Sequence, residues 1–162
     1  FMDDQTKIID ILKSIPWFLD LNNRQIETLA SYSSIIEIKA GNIVFNEGDQ
    51  LDNMYIILEG RVSVDISVPT HGQLRIYIAE PLDIIGWSKM TPVVRQRTAS
   101  STAIKDTRLL CFQGNELFTF CEQDRHVGYI FFRRLSNVVA SSMLMTKLQL
   151  MDRLLRSSSE PT

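Results

Sequence analysis

Turn signals recur throughout residues 34–112, and the segments between them are short. Ala40-Gly41-Asn42, Asn46-Glu47-Gly48-Asp49, Glu59-Gly60 and Pro69-Thr70-His71-Gly72-Gln73 carry the residue types that reverse a backbone tightly. Between them lie β-branched or alternating stretches. Ile35, Ile36 and Ile38 form one, and Ile43-Val44-Phe45 another. Met54 to Leu58 is a continuous apolar run, the pattern of a strand covered on both faces. Val62, Val64, Ile66 and Val68 alternate with polar residues, and Leu74, Ile76 and Ile78 alternate on the return from the Pro69–Gln73 loop. Ala99, Ser101 and Ala103 continue the pattern, and Thr107 to Phe112 closes it. Short strands with turns this frequent make an antiparallel sandwich, roll or barrel, and periodicity alone does not choose among them.

Helices flank this β region. Ile8, Ile9, Ile11, Leu12 and Ile15 form a helical stripe that Pro16 stops, and Trp17-Phe18-Leu19 reads as an apolar plug. Asn22 with Gln25 has the spacing of a capping box for a second short helix, which would turn Ile26, Leu29 and Ala30 inward. Asn115 is expected to cap a helix reaching Glu122. Asp124 is expected to cap a long one from Arg125 to about Arg156. The first half of the long helix carries a broad stripe, Val127, Ile130, Phe131, Leu135 and Val138. Its second half places Leu144, Leu148, Met151 and Leu155 at 4-3-4 spacing, a narrow coiled-coil seam that needs a partner. A homodimer through this helix is the expectation, with a disordered tail over 157–162.

Composition closes off several function classes. The 162 residues are 44% hydrophobic with a net charge of −2, which argues against a broad nucleic-acid surface. No stretch is apolar for long enough to span a bilayer and no signal peptide is visible, so a cytoplasmic location without membrane attachment is expected. Cys111 and Cys121 sit in apolar surroundings and read as reduced, buried thiols. His71 and His126 are isolated, so no metal site is expected; there is no nucleophile–base pair and hence no catalytic residue, and the chain reads as a non-enzyme.

Chemistry concentrates in Leu82–Ala99. It contains a glycine-led turn, Gly86-Trp87-Ser88, and then Arg97-Thr98-Ala99 leading into a strand-like run. Glycine permits close approach of backbone to a ligand, N–H groups at the start of a short helix attract anions, and arginine grips two phosphate oxygens with its planar fork. Lys89 and Arg95 add basic charge, either for a more highly charged ligand or as a solvated loop.

The run Glu37-Ile38-Lys39-Ala40-Gly41, Val44-Phe45, Gly48-Asp49, Asp52, and Met54 through Val62 with Glu59-Gly60 resembles the cyclic nucleotide-binding domain family, in particular the sensor half of catabolite activator protein and its bacterial relatives. Gly-Trp-Ser and the downstream residues Cys121-Glu122, Gly128-Tyr129, Arg133-Arg134-Leu135 and Thr146 to Asp152 look like a divergent, stand-alone bacterial subgroup. The resemblance implies an α+β fold: one mainly antiparallel β-roll of the double-stranded jelly-roll kind over about 33–113, short N-terminal helices and a long C-terminal dimerisation helix. The single domain would occupy 5–156, without a helix-turn-helix domain. It also implies that the ligand-binding residues are Gly86, Trp87, Ser88, Arg97, Thr98 and Ala99, with Arg97 and Thr98 on a phosphate. Trp87 stands where the family has the glutamate that binds the ribose 2′-hydroxyl, so the cassette keeps its phosphate half and replaces its sugar half. The indole is either a plug or a stacking platform, and Ser142 and Thr146 are either contacts to the base or ordinary helix-surface residues.

Three readings follow. The leading one is a non-enzymatic, ligand-sensing regulatory domain, homodimeric through the long helix, that binds a cyclic nucleotide or other phosphate-bearing small molecule and needs no further cofactor. The second is a protein-interaction module with a vestigial pocket. The third is the sensor half of a transcription regulator without its DNA-binding domain, a chain expected not to bind nucleic acid.

Overall fold

Pro16 ends the first helix, as its ring demands: α1 spans Asp4–Ser14, and the chain then makes a 3-10 turn over Pro16–Phe18 that drives Phe18 into the core and leaves Leu19 outside. Helix α2, Asn23–Ser31, carries the expected reciprocal cap between Asn22 and Gln25. The computed structural model describes residues 3–50 and 52–159.

Among the described residues eight strands follow: β1 Ser33–Ile38, β2 Ile43–Phe45, β3 Asn53–Glu59, β4 Val62–Val68, β5 Gly72–Ala79, β6 Ile84–Ile85, β7 Ser100–Ala103 and β8 Thr107–Gln113. They form two antiparallel four-stranded sheets, ordered β1-β8-β3-β6 and β2-β7-β4-β5. The apolar run of β3 is explained by its place in the first sheet. Its Tyr55 and Ile57 join Val62, Ala79, Ile85 and Leu109 in a core between the sheets, while Met54 and Ile56 face a larger core under the helices. Phe18, Phe112 and Phe131 meet there, with ring centroids 5.3 to 6.5 Å apart.

Helix α3, Gly114–Gln123, begins one residue before the expected cap. Asn115 makes no capping bond; Gln113 occupies the cap position and its side chain makes none either, while the buried Gly114 donates its N–H to the Asp52 carbonyl, which fixes the start of the helix by tertiary contact. Helix α4, Arg125–Ser158, is capped as expected by Asp124, whose carboxylate accepts from the N–H groups of His126 and Val127. Gln25 donates to the same carboxylate at 3.0 Å and so ties α2 to α4. The helix has 34 residues, roughly 50 Å of length. Its buried residues, Val127, Gly128, Phe131 and Leu135, all lie in the first third. It runs two residues past Arg156 into the stretch expected as tail; residues 160–162 of that stretch lie outside the described residues.

The alternation expected of β5 is broken. Val64 pairs with Tyr77 and Asp65 with Arg75, so Ile76 is an extra residue, a bulge. Ile76 and Ala79 are buried and Tyr77 half-buried, whereas Ile78, expected to face inward, is exposed. The bulge turns Tyr77 toward α4.

Candidate ligand site between the roll and the long helix

Gly86 opens the cassette at a φ of 71°, in the left-handed region that favours glycine. A Cβ built there would lie 2.7 Å from Arg97 Nη1, so the position has a second reason to lack a side chain. The following turn, Trp87–Met90, is a four-residue 3-10 turn and does not present the aligned N–H groups of an α-helix. It buries Ser88 and Met90 and leaves Trp87 half-exposed.

Arg97 lies in an extended segment just before β7, which begins only at Ser100. Its backbone N–H donates to the Asp49 carbonyl, and its carbonyl accepts from Gly48, both at 2.9 Å. The side chain runs inward and the residue is 2% exposed. Nη1 donates to the Gly86 carbonyl at 2.8 Å; Nη2 donates to the Asn53 carbonyl at 2.6 Å and to Asp52 Oδ1 at 2.9 Å. The guanidinium carbon sits 4.4 Å from the centre of the Phe45 ring and 6.0 Å from that of Tyr55. Nε is buried and has no hydrogen-bond partner among the described residues. The arginine thus ties together β2, the start of β3 and the cassette turn.

Two spaces adjoin the cassette. The first, about 20 Å³, is lined by Gly86, Trp87, Ser88, Thr98, Ala99 and Ser101, among others. That is room for about one water. The Ser101 hydroxyl is buried there with no hydrogen-bond partner among the described residues, and the Ser88 and Thr98 hydroxyls are 3.4 Å apart. The second is a cavity of about 670 Å³ between the β4–β5 face of the roll and the second half of α4. Trp87, Thr98 and Ala99 close its cassette end, and Val64, Ile66 and Tyr77 form its floor. The helix supplies Val139, Met143, Leu150 and Leu154, with Ser142, Thr146 and Lys147 between them. Arg97 lines neither space.

Polar groups on this helix face are mostly engaged. The Tyr77 hydroxyl lies 3.4 Å from the Ser142 hydroxyl, and Thr146 donates to the Ser142 carbonyl at 2.7 Å. Burial pushes the Tyr77 phenol above its ordinary range; the Ser142 bond opposes this and Asp83 adds to it. Glu47 accepts from the Ser67 N–H at 2.7 Å.

The six residues expected at the ligand therefore divide. Trp87, Thr98 and Ala99 face the large cavity, Gly86 and Ser88 face only the small one, and Arg97 is inside the wall. Ser142 and Thr146 do face the cavity. Tyr77, Met143, Leu150 and Leu154 were not legible as cavity residues. The bulge hid Tyr77 within an alternating strand, and the other three look like ordinary helix residues until the helix is docked. Leu144, Leu148, Met151 and Leu155 are 49–70% exposed, with Met151 shared between this stripe and the cavity wall. Among the described residues no cluster of three His, Cys, Asp or Glu side chains could hold a metal ion, and no helix is long and apolar enough to cross a membrane.

A roll of two sheets whose mouth is covered by a long C-terminal helix is the architecture of sensor domains of the catabolite activator type. A family model for the cyclic nucleotide-binding domain matches residues 35–124, more than half of the chain, and the protein belongs to that family. Solved structures carry the same fold. A cyclic nucleotide-binding domain from Methylobacillus flagellatus KT is 24% identical with a TM-score of 0.72, over 97% of this chain and 85% of that one. A putative cyclic nucleotide-binding protein from Geobacter metallireducens GS-15 is 22% identical with a TM-score of 0.71, over 83% and 96%. The catabolite activator protein of Thermus thermophilus is 20% identical with a TM-score of 0.68, over 82% of this chain and 62% of its own.

Proposed function

We propose that this chain is a non-enzymatic regulatory domain that senses a small molecule in the cavity between its β-roll and α4 and signals through the position of that helix. One observation carries the reading: the cavity of about 670 Å³ has one wall on the roll and the other on the half of α4 that contributes no buried residue to the core. An occupant touching both walls has a different affinity for docked and undocked helix, which is what a ligand needs in order to shift an equilibrium. Trp87, Thr98, Ala99, Ser142 and Thr146 would contact the ligand. Gly86, Ser88 and Arg97 would hold the cassette in shape. Leu144, Leu148, Met151 and Leu155 would pair with a second copy, so that helix position is read across a homodimer.

The test is a thermal-shift screen with cyclic nucleotides, other nucleotides and small organic acids, followed by hydrogen exchange on each hit. A ligand at 100 times its dissociation constant adds about 2.7 kcal/mol. A true ligand should slow exchange of the amides from 139 to 154 and leave α1 and α2 unchanged. A screen without a hit, or a hit that leaves α4 exchange as it was, removes the proposal.

The reading as an interaction module with a vestigial pocket draws on a different observation, the mere 20 Å³ left beside Gly86 and Ser88. It predicts the screen without hits, and an intact dimer.

A further inference from the structure

We propose that the cavity takes an apolar-bodied small molecule bearing a single acid group, with the acid at Lys147, and not a cyclic nucleotide. The proposal rests on the ligand-sensing reading and adds the chemical class of the ligand.

Three observations carry it. The first concerns phosphate. Two negative oxygens in the cassette would need the fork of Arg97, but that fork is already engaged by Asp52 and two backbone carbonyls and does not reach either space. The 20 Å³ beside Gly86 holds about one water, not a phosphodiester. The second concerns hydroxyls. A sugar and a base demand free donors and acceptors, and a polar group buried without one costs free energy. On this cavity the Thr146 hydroxyl donates its proton to its own helix and keeps only acceptor capacity, while the Ser142–Tyr77 and Thr98–Ser88 hydroxyl pairs stand 3.4 Å apart and share their donors with each other. Most of the remaining lining is apolar, with Val64, Ile66, Trp87, Val139, Met143 and Leu150. A volume of this size with such walls and few polar groups suits an apolar body. The third concerns charge. Lys147 is the one basic residue lining the cavity among the described residues; it is exposed and makes no ion pair. Glu47, the acidic residue on the same cavity, keeps its charge but turns its carboxylate to the Ser67 N–H, which places an acid group at Lys147 and away from Glu47. One cation at the rim of an apolar space selects one anion on an apolar molecule.

The experiment uses the full chain and three probes: decanoate below its micellar concentration, decanol below its solubility limit, and cyclic AMP. Binding is read by thermal shift and by the fluorescence of Trp87, with Trp87→Phe assigning the signal against Trp17. Decanoate should bind saturably and about three- to tenfold more tightly than decanol, as one ion pair at a rim allows. Cyclic AMP should not bind. Lys147→Gln, a change on an exposed side chain, should bring decanoate down to the affinity of decanol and leave decanol unaltered. The proposal is overturned if cyclic AMP binds saturably. It is equally overturned if decanoate and decanol bind alike, or if Lys147→Gln does not affect decanoate. Cyclic AMP that binds and slows exchange in α4 would leave the sensing function standing and remove only the ligand class. Decanoate that binds at Lys147 without altering α4 would do the reverse. Silence from all three probes removes both.

Discussion

The guanidinium of Arg97 and the carboxylate of Asp52 meet at 2.9 Å across the wall of the roll, the arginine side chain 1% exposed and the aspartate 70%. The cation is therefore sealed in protein while its counter-charge stands at the surface. Phe45 and Tyr55 cover the guanidinium, and two backbone carbonyls complete its partners. An arginine read from sequence as a ligand contact is first of all a structural tie.

Removing it is expected to cost stability. Arg97→Ala leaves the Gly86 and Asn53 carbonyls without their donor and opens a void beside Phe45, a loss of about 2–4 kcal/mol. Asp52→Asn keeps the geometry and loses the charge. Because Asp52 is mostly solvated, that change should cost less, about 1 kcal/mol. Urea denaturation of both variants checks the order; an Arg97→Ala protein as stable as the parent would show that the buried network contributes nothing.

Leu82 holds a φ of 75° in the turn that leads to β6, a conformation that favours glycine. Left-handed backbone costs an L-residue about 1–2 kcal/mol, and the chain entropy of glycine offsets roughly half of that. Leu82→Gly should therefore stabilise the domain by about 0.5–1 kcal/mol, read as a rise in the denaturation midpoint.

Gly128 lies inside α4, where alanine ordinarily gains about 1 kcal/mol over glycine. Here a Cβ would run into the backbone carbonyl of Cys121 on α3. The sign should invert: Gly128→Ala is expected to destabilise by about 1–3 kcal/mol as the two helices are forced apart. Thermal unfolding distinguishes the two signs directly.

Asp124 links the α4 cap to pH. The Gln25 amide, then the Val127 N–H, hold its carboxyl below the ordinary carboxylate range. A depressed folded value means that the unfolded chain takes up the proton first. The contribution is complete above about pH 4 and is lost as pH falls through the folded value. Asp124→Ala should cost about 1 kcal/mol at neutral pH, and the gap from the parent should close in acid. Denaturation curves from pH 7 down to pH 2 measure it; a gap independent of pH would mean the cap bonds are not the source.

Leu148 sits half-exposed in the middle of the stripe formed with Leu144, Met151 and Leu155. Leu148→Glu places a charge where the dimer seam is proposed. The expected result is a shift to monomer in sedimentation, with the unfolding temperature of the roll unchanged at concentrations where the parent is also monomeric. A parent that is monomeric at every concentration would remove the seam.

Much of the architecture was local and therefore legible. The turns at Gly41, Gly48 and Gly60, the capping box of Asn22 and Gln25, the break at Pro16 and the cap at Asp124 each depend on residues a few positions apart. The doubly buried β3 was visible as an unbroken apolar run because both of its faces meet core. Together with the spacing of the glycines, these determine the β-roll and its family. What they leave open depends on contacts between distant segments. An extra residue at Ile76 inverts the faces of the rest of β5, and alternation cannot show it, since it arises from pairing with β4. Asp52 and Gly86 come together at Arg97 only when the sheets have closed, and this closure decides that the arginine faces the wall. Sequence determined which residues make the cassette; tertiary structure alone decided where their side chains point, because burial and pairing are properties of neighbours that folding brings together, Asp52 from 45 residues away in the case of Arg97.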